Sequence, residues 1–89
     1  MNSRTTSRFR KALDGLPAHI RQQAADAFAI FQQDPYHPSL HFKRIHSTQP
    51  IYSARITRGY RAVGIIEGDT IIWFWVGSHA DYDNLLARL

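Results

Sequence analysis

Residues Ile51 to Leu86 read IYSARITRGYRAVGIIEGDTIIWFWVGSHADYDNLL, setting arginines and one histidine on an apolar β framework. The first part alternates. Tyr52, Ala54 and Ile56 fall on one face and Ser53, Arg55 and Thr57 on the other, as in a half-buried strand. Arg55 is thereby directed away from that apolar packing. Tyr60 to Ile66 forms a second run, followed by Glu67-Gly68-Asp69 and then Thr70 to Val76, which predicts a β-hairpin with glycine in its turn. The same period puts Trp73 and Trp75 on one strand face and Phe74 on the other, a pattern of core residues rather than a stacking platform. Gly77-Ser78-His79 ends the strand, so His79 stands where a rigid element hands over to a loop.

Working towards the N-terminus, Phe9, Leu13 and Leu16 have the spacing of a short helix over Ser7 to Leu16, weakened by Gly15. A stronger helix is predicted from Pro17 to Gln33, where Ile20, Ala24, Ala27, Phe28 and Phe31 form an apolar stripe and Pro17 suits the first turn. Asp34-Pro35 stops it. The rigid connector Pro35-Tyr36-His37-Pro38 leads to a strand expected over Leu40 to His46, then a turn at Ser47-Thr48-Gln49-Pro50. Towards the C-terminus, Asp81 can cap a final helix that presents Tyr82, Leu85, Leu86 and Leu89 on one face. Helices precede strands, so the expectation is an α+β domain spanning residues 1–89. It comprises an antiparallel sheet of three to four strands, an N-terminal helical hairpin packed on one face, and a short C-terminal helix.

At 89 residues, a chain buries only roughly 60 to 65% of its unfolded surface, so a partner would add usefully to its stability. Its 44% hydrophobic content is that of a globular protein, and no apolar run is long enough to span a membrane. The start of the chain reads as a polar lead-in rather than a signal peptide. Without cysteine there is no disulfide or thiolate chemistry, and a soluble protein of the cytoplasm is the expectation. Eleven Lys+Arg against seven Asp+Glu give a net +4 and a pI near 10.0, favouring an anionic partner such as nucleic acid or an acidic protein. His37 and His41 are four apart, but they flank a loop-to-strand stretch where that spacing does not bring side chains together. With no cysteine or carboxylate to join them, no metal site is expected. Gly59, Gly64 and Gly68 lack the spacing and following helix of a nucleotide-binding loop.

Taken in order, Leu16-Pro17, Asp34-Pro35-Tyr36-His37-Pro38-Ser39-Leu40, Tyr52-Ser53-Ala54-Arg55-Ile56, Tyr60-Arg61-Ala62 and Gly77-Ser78-His79 with Tyr82 resemble the RelE/ParE toxin superfamily. That resemblance implies a toxin of a type II toxin–antitoxin system. It further implies an endoribonuclease that cleaves messenger RNA, on the ribosome in some members, without metal or other cofactor. The implied partners are a small cognate antitoxin, messenger RNA and the ribosome, with DNA reached only through the antitoxin and no role for a membrane. ParE-like members instead inhibit DNA gyrase and carry no nuclease residues, and an inactive binding module of the same fold is a further alternative. The superfamily's usual first strand is expected to be short or missing here, because Arg4 to Arg8 shows no apolar alternation.

RNA cleavage by a 2′-hydroxyl needs a base, an acid for the departing 5′-oxygen, and cations for charge growing on phosphorus. Arginine suits the cationic role because its planar fork donates two hydrogen bonds at fixed spacing. Histidine, which titrates near neutrality, suits the acid or base. By resemblance, Arg61 contacts the scissile phosphate, Arg55 is a basic position on the neighbouring strand, and His79 takes a place that is histidine in YafQ-like members and arginine in RelE. Tyr82 completes the catalytic set by stacking on a base or donating its hydroxyl, and Lys43, Arg44 and Arg58 are the RNA-binding cations. Ser53 departs from RelE, where lysine is expected. The plainer alternatives are that Arg55 and Arg61 form solvated surface ion pairs, and that His79 caps the last helix or bonds within its turn.

Overall fold

A computed structural model describes residues 1–89. The elements are β1 (Asn2–Thr5), α1 (Ser7–Asp14), α2 (Ala18–Gln33), a 3₁₀ turn (Pro38–Leu40), β2 (Lys43–Arg44), β3 (Ile51–Thr57), β4 (Tyr60–Glu67), β5 (Thr70–Ser78) and α3 (His79–Arg88). The strands form one sheet in the order β1-β5-β4-β3-β2. Its two faces bury different groups. Phe9 of α1 and Phe31 of α2 meet Ala54, Ala62, Ile71, Trp73 and Val76 on one face, and Tyr82 of α3 meets Ile51 and Val63 on the other. The α+β expectation is met, with the helical hairpin and the C-terminal helix on opposite sides of the sheet.

The strand count and direction need correction. The sheet has five strands and is mixed, because β1 runs parallel to β5, pairing Asn2 with Thr70 and Thr5 with Trp73. Side-chain pattern did not reveal β1 because backbone bonds seat it at a sheet edge. Asn2 N–H donates to the Asp69 carbonyl and Thr6 N–H to the Trp73 carbonyl, at 2.9 and 3.0 Å. The expected strand over Leu40 to His46 shrinks to Lys43–Arg44. The His37 ring accepts from Ser39 N–H and sets the 3₁₀ turn, while His41 adopts a left-handed φ of 45° that ends it. Leu40 is carried into the core instead of a ladder.

A bulge overturns the shared face expected of Trp73 and Trp75, although both pack in the core as expected. Val63 pairs with Trp75 but the next residue, Gly64, pairs with Trp73, so Phe74 is the extra residue and the alternation slips. Trp73 therefore packs under α1 and α2, whereas Trp75 packs beside α3. Gly64 permits this crossing, since a Cβ there would stand 2.9 Å from Ile71 Cγ1 and 3.0 Å from Trp73 Cε3. The β4–β5 turn has Gly68 at a φ of 61°, the conformation a two-residue hairpin asks of its first turn residue. The last helix begins two residues before the expected cap. Ser78, not Asp81, is the N-cap, and its Oγ accepts from Asp81 N–H at 3.2 Å.

Candidate phosphate-binding site

Arg55 and Arg61 are paired directly across β3 and β4. Alternation from Ser53 and Val63 puts both on the sheet face that carries α3, beyond that helix's first turn. Like charges in register on neighbouring strands repel. Neither forms an ion pair with a carboxylate, because the one ion pair of the chain joins His79 to Asp83. The surface-ion-pair alternative for these two arginines is therefore not what the structure contains.

Arg61 is partly buried and doubly engaged. Its Nη1 donates to the Thr57, Arg58 and Tyr60 carbonyls at 2.6, 3.2 and 3.0 Å, clasping the β3–β4 turn. Nε and Nη2, the other edge of the fork, make no bond within the chain. Burial first, and then the neighbouring Arg55 charge, pull the Arg61 pKa below the ordinary arginine value, while Tyr82 and Asp83 act in the opposite sense. The group stays charged, but in surroundings that an added anion would improve. Arg55 Nη1 lies 3.5 Å from His41 Nε2, a weak contact that leaves the rest of its fork open.

His79 joins this pair through the fold rather than through a loop. Strand β5 passes directly into α3, and His79, the first residue of the helix, donates its N–H to the Gly59 carbonyl in the β3–β4 turn at 2.7 Å. The turn that Arg61 clasps thus also anchors His79. The imidazole is 49% exposed, has Nδ1 3.3 Å from Asp83 Oδ2, and meets the Tyr82 ring edge-on at 5.9 Å. Two arginines in register on β3 and β4, and an imidazole whose backbone is tied to the turn that Arg61 clasps, supply the groups needed to hold a phosphodiester and protonate an oxygen on it.

Tyr82 does not meet the role expected of it. It is 5% exposed, and its hydroxyl donates to Ser53 Oγ at 3.0 Å. A ring so placed cannot stack on a base. Instead it holds α3 against the sheet, and Ser53, 1% exposed, is its partner in the position where lysine was expected. Among the RNA-binding candidates, Arg58 is exposed in the β3–β4 turn and Lys43 shares the α3 face by its register opposite Ser53. Arg44 pairs opposite Tyr52, which puts it on the other face, with its Nε donating to the His46 carbonyl at 3.0 Å. Sequence reasoning missed Asp83. Ser78-His79-Ala80-Asp81 has the S-x-x-D form of a helix start, and a helix begun there puts Asp83 one turn from His79.

Residues 18–84 match the model of the ParE-like toxin domain, and the chain belongs to that family, within the RelE/ParE toxin superfamily. No curated protein sequence matches it. Among solved structures it resembles a chain of the RelB-RelE antitoxin-toxin complex from Methanococcus jannaschii. The TM-score is 0.74 at 24% identity, over 92% of this chain and 96% of that one. For the RelE-RelB complex from Pyrococcus horikoshii OT3 the TM-score is 0.70 at 17% identity, over 86% and 92%. For the isolated RelE toxin of E. coli it is 0.67 at 16%, over 99% and 98%. At these identities the likeness is one of fold.

Proposed function

We propose that this chain, acting as one unit over residues 1–89, is the toxin of a toxin–antitoxin pair and a metal-independent endoribonuclease of messenger RNA. The observation that carries this reading is the unpaired Arg55–Arg61 couple beside His79. The arginine forks take the non-bridging oxygens of the scissile phosphate. The 2′-hydroxyl gives its proton to water as its oxygen bonds to phosphorus, and as the bond to the 5′-oxygen breaks, protonated His79 supplies the leaving oxygen's proton. A 2′,3′-cyclic phosphate and a free 5′-hydroxyl result. Arg58 and Lys43 extend the positive face along the RNA. The partner is a small antitoxin, as in the RelB-RelE complexes of the two archaeal relatives, and both act in the cytoplasm.

A second reading, inhibition of DNA gyrase without chemistry, draws support from one feature. Burial of Ser53 against Tyr82 removes both a lysine and a stacking tyrosine from the face where RNA would lie. Brief expression without antitoxin, followed by mapping of RNA 5′ ends and an assay of plasmid supercoiling, separates the two. New 5′-hydroxyl ends with normal supercoiling support the nuclease. Intact messenger RNA with blocked supercoiling supports the inhibitor. Arg61→Ala should lower cleavage by about 10² to 10³, the usual loss for a transition-state cation. Full cleavage by a folded Arg61→Ala protein would leave this arginine only its turn-clasping role.

A further inference from the structure

His79 is held on several sides. Its backbone is tied to Gly59, its ring lies against Tyr82, and Nδ1 faces a carboxylate 3.3 Å away. Tyr82 is itself immobilised by Ser53, so the aromatic wall beside the imidazole is rigid. Asp83 is one helical turn from His79 and 62% exposed, so the pair adds little to stability. An acid beside arginines that take a phosphate also repels the substrate, so any gain from it must lie elsewhere. A carboxylate at Nδ1 selects the tautomer protonated there, turns Nε2 outward, and stabilises the ring when it is charged.

We propose that Asp83 is a positioning residue for His79, keeping the proton on Nδ1 so that Nε2 is the nitrogen presented to the 5′-oxygen. This role rests on the nuclease reading above. In the step itself the Nε2 proton passes to the leaving oxygen as the phosphorus–oxygen bond breaks. The ring is left neutral with its Nδ1–H still donated to Asp83, and solvent returns the Nε2 proton. Asp83 gains and loses no proton.

The test has one arm without RNA and one with it. In ¹⁵N-labelled protein above the imidazole titration, long-range ¹H–¹⁵N correlation should show His79 protonated at Nδ1, and Asp83→Asn should move the proton to Nε2 or mix the two forms. In RNA cleavage, Asp83→Asn should lower kcat by about 10- to 100-fold, the span for losing the group that orients a functional histidine, with KM unchanged or lower. Asp83→Glu should recover part of that loss. In a His79→Gln background, Asp83→Asn should change the rate by less than about twofold, because the coupled partner has gone. A His79 ring protonated at Nε2 in the unmodified protein overturns the proposal, as does an equal Asp83→Asn deficit with and without His79. So does a kcat left intact while KM falls, since Asp83 would then be only a counter-ion that RNA displaces. Absence of cleavage by the unmodified protein would remove the nuclease reading, and the tautomer would still decide whether Asp83 orients the ring.

Discussion

Tyr82 and Ser53 show how a residue's neighbours reassign its role. A tyrosine near a strand end reads as a stacking surface, yet this one is buried with its hydroxyl donated to Ser53 at 3.0 Å. Replacing either partner strands the other in a dry site, so Tyr82→Phe and Ser53→Ala should each cost about 1 to 3 kcal/mol in urea unfolding. The double variant should cost clearly less than the sum. Additive losses would mean that the two hydroxyls are independently solvated. His79 is the opposite case, half exposed and free at Nε2. His79→Gln should slow cleavage by roughly 10² to 10⁴, the range for general acid–base catalysis, while leaving RNA affinity unchanged. A 5′-thio substrate, whose leaving group needs no proton, should restore most of the rate. An equal deficit on both substrates would assign His79 another role.

At the scale of elements, the bulge at Phe74 does most to distribute side chains between the two cores. It sends Trp73 to the α1–α2 face and Trp75 to the α3 face, and it depends on Gly64 having no Cβ. Gly64→Ala would press a methyl group against Ile71 Cγ1 and the Ile72 carbonyl at 2.9 and 3.0 Å. Overpacking of this kind costs about 1 to 3 kcal/mol, to be measured as a lowered denaturation midpoint. An unchanged midpoint would show that the slipped register is soft. The hydrogen bond from His79 N–H to Gly59 makes α3 and the β3–β4 turn one mechanical unit. Arg61, which clasps that turn, thereby contributes to the site twice.

Across the whole molecule, eleven Lys+Arg against seven Asp+Glu leave a net +4, and no arginine or lysine is spent on an ion pair with a carboxylate. Cations left this free are available to a polyanion. If Lys43, Arg55, Arg58 and Arg61 each meet a phosphate of single-stranded RNA, log affinity should fall with log salt at a slope of about −2 to −3. Fluorescence anisotropy over a salt series measures it. A slope shallower than about −1 would remove most of these contacts. Arg44, on the opposite face, should not contribute, so Arg44→Ala should leave the slope unchanged.

Helix positions and the existence of the β-hairpin were legible in the chain, because periods of 3.6 and 2 follow from local backbone geometry and need no partner. The alternation of Tyr52 to Thr57 required nothing distant to be read, nor did the stripe from Ile20 to Phe31, although its Phe28 stays 39% exposed while Ile30 packs against the core instead. The arginines and histidine were legible as candidates by residue type and by resemblance. What tertiary structure alone decided lies wherever distant segments meet. It paired Asn2–Thr5 with β5 through backbone atoms that carry no sequence signature, and it slipped the register at Phe74 so that one tryptophan changed sides. It also set Ser53 beneath Tyr82, Arg55 opposite Arg61, and His79 against Gly59. Each of these depends on which strand lies beside which and in what register, and pairing free energy is summed over the whole sheet rather than written in any one segment.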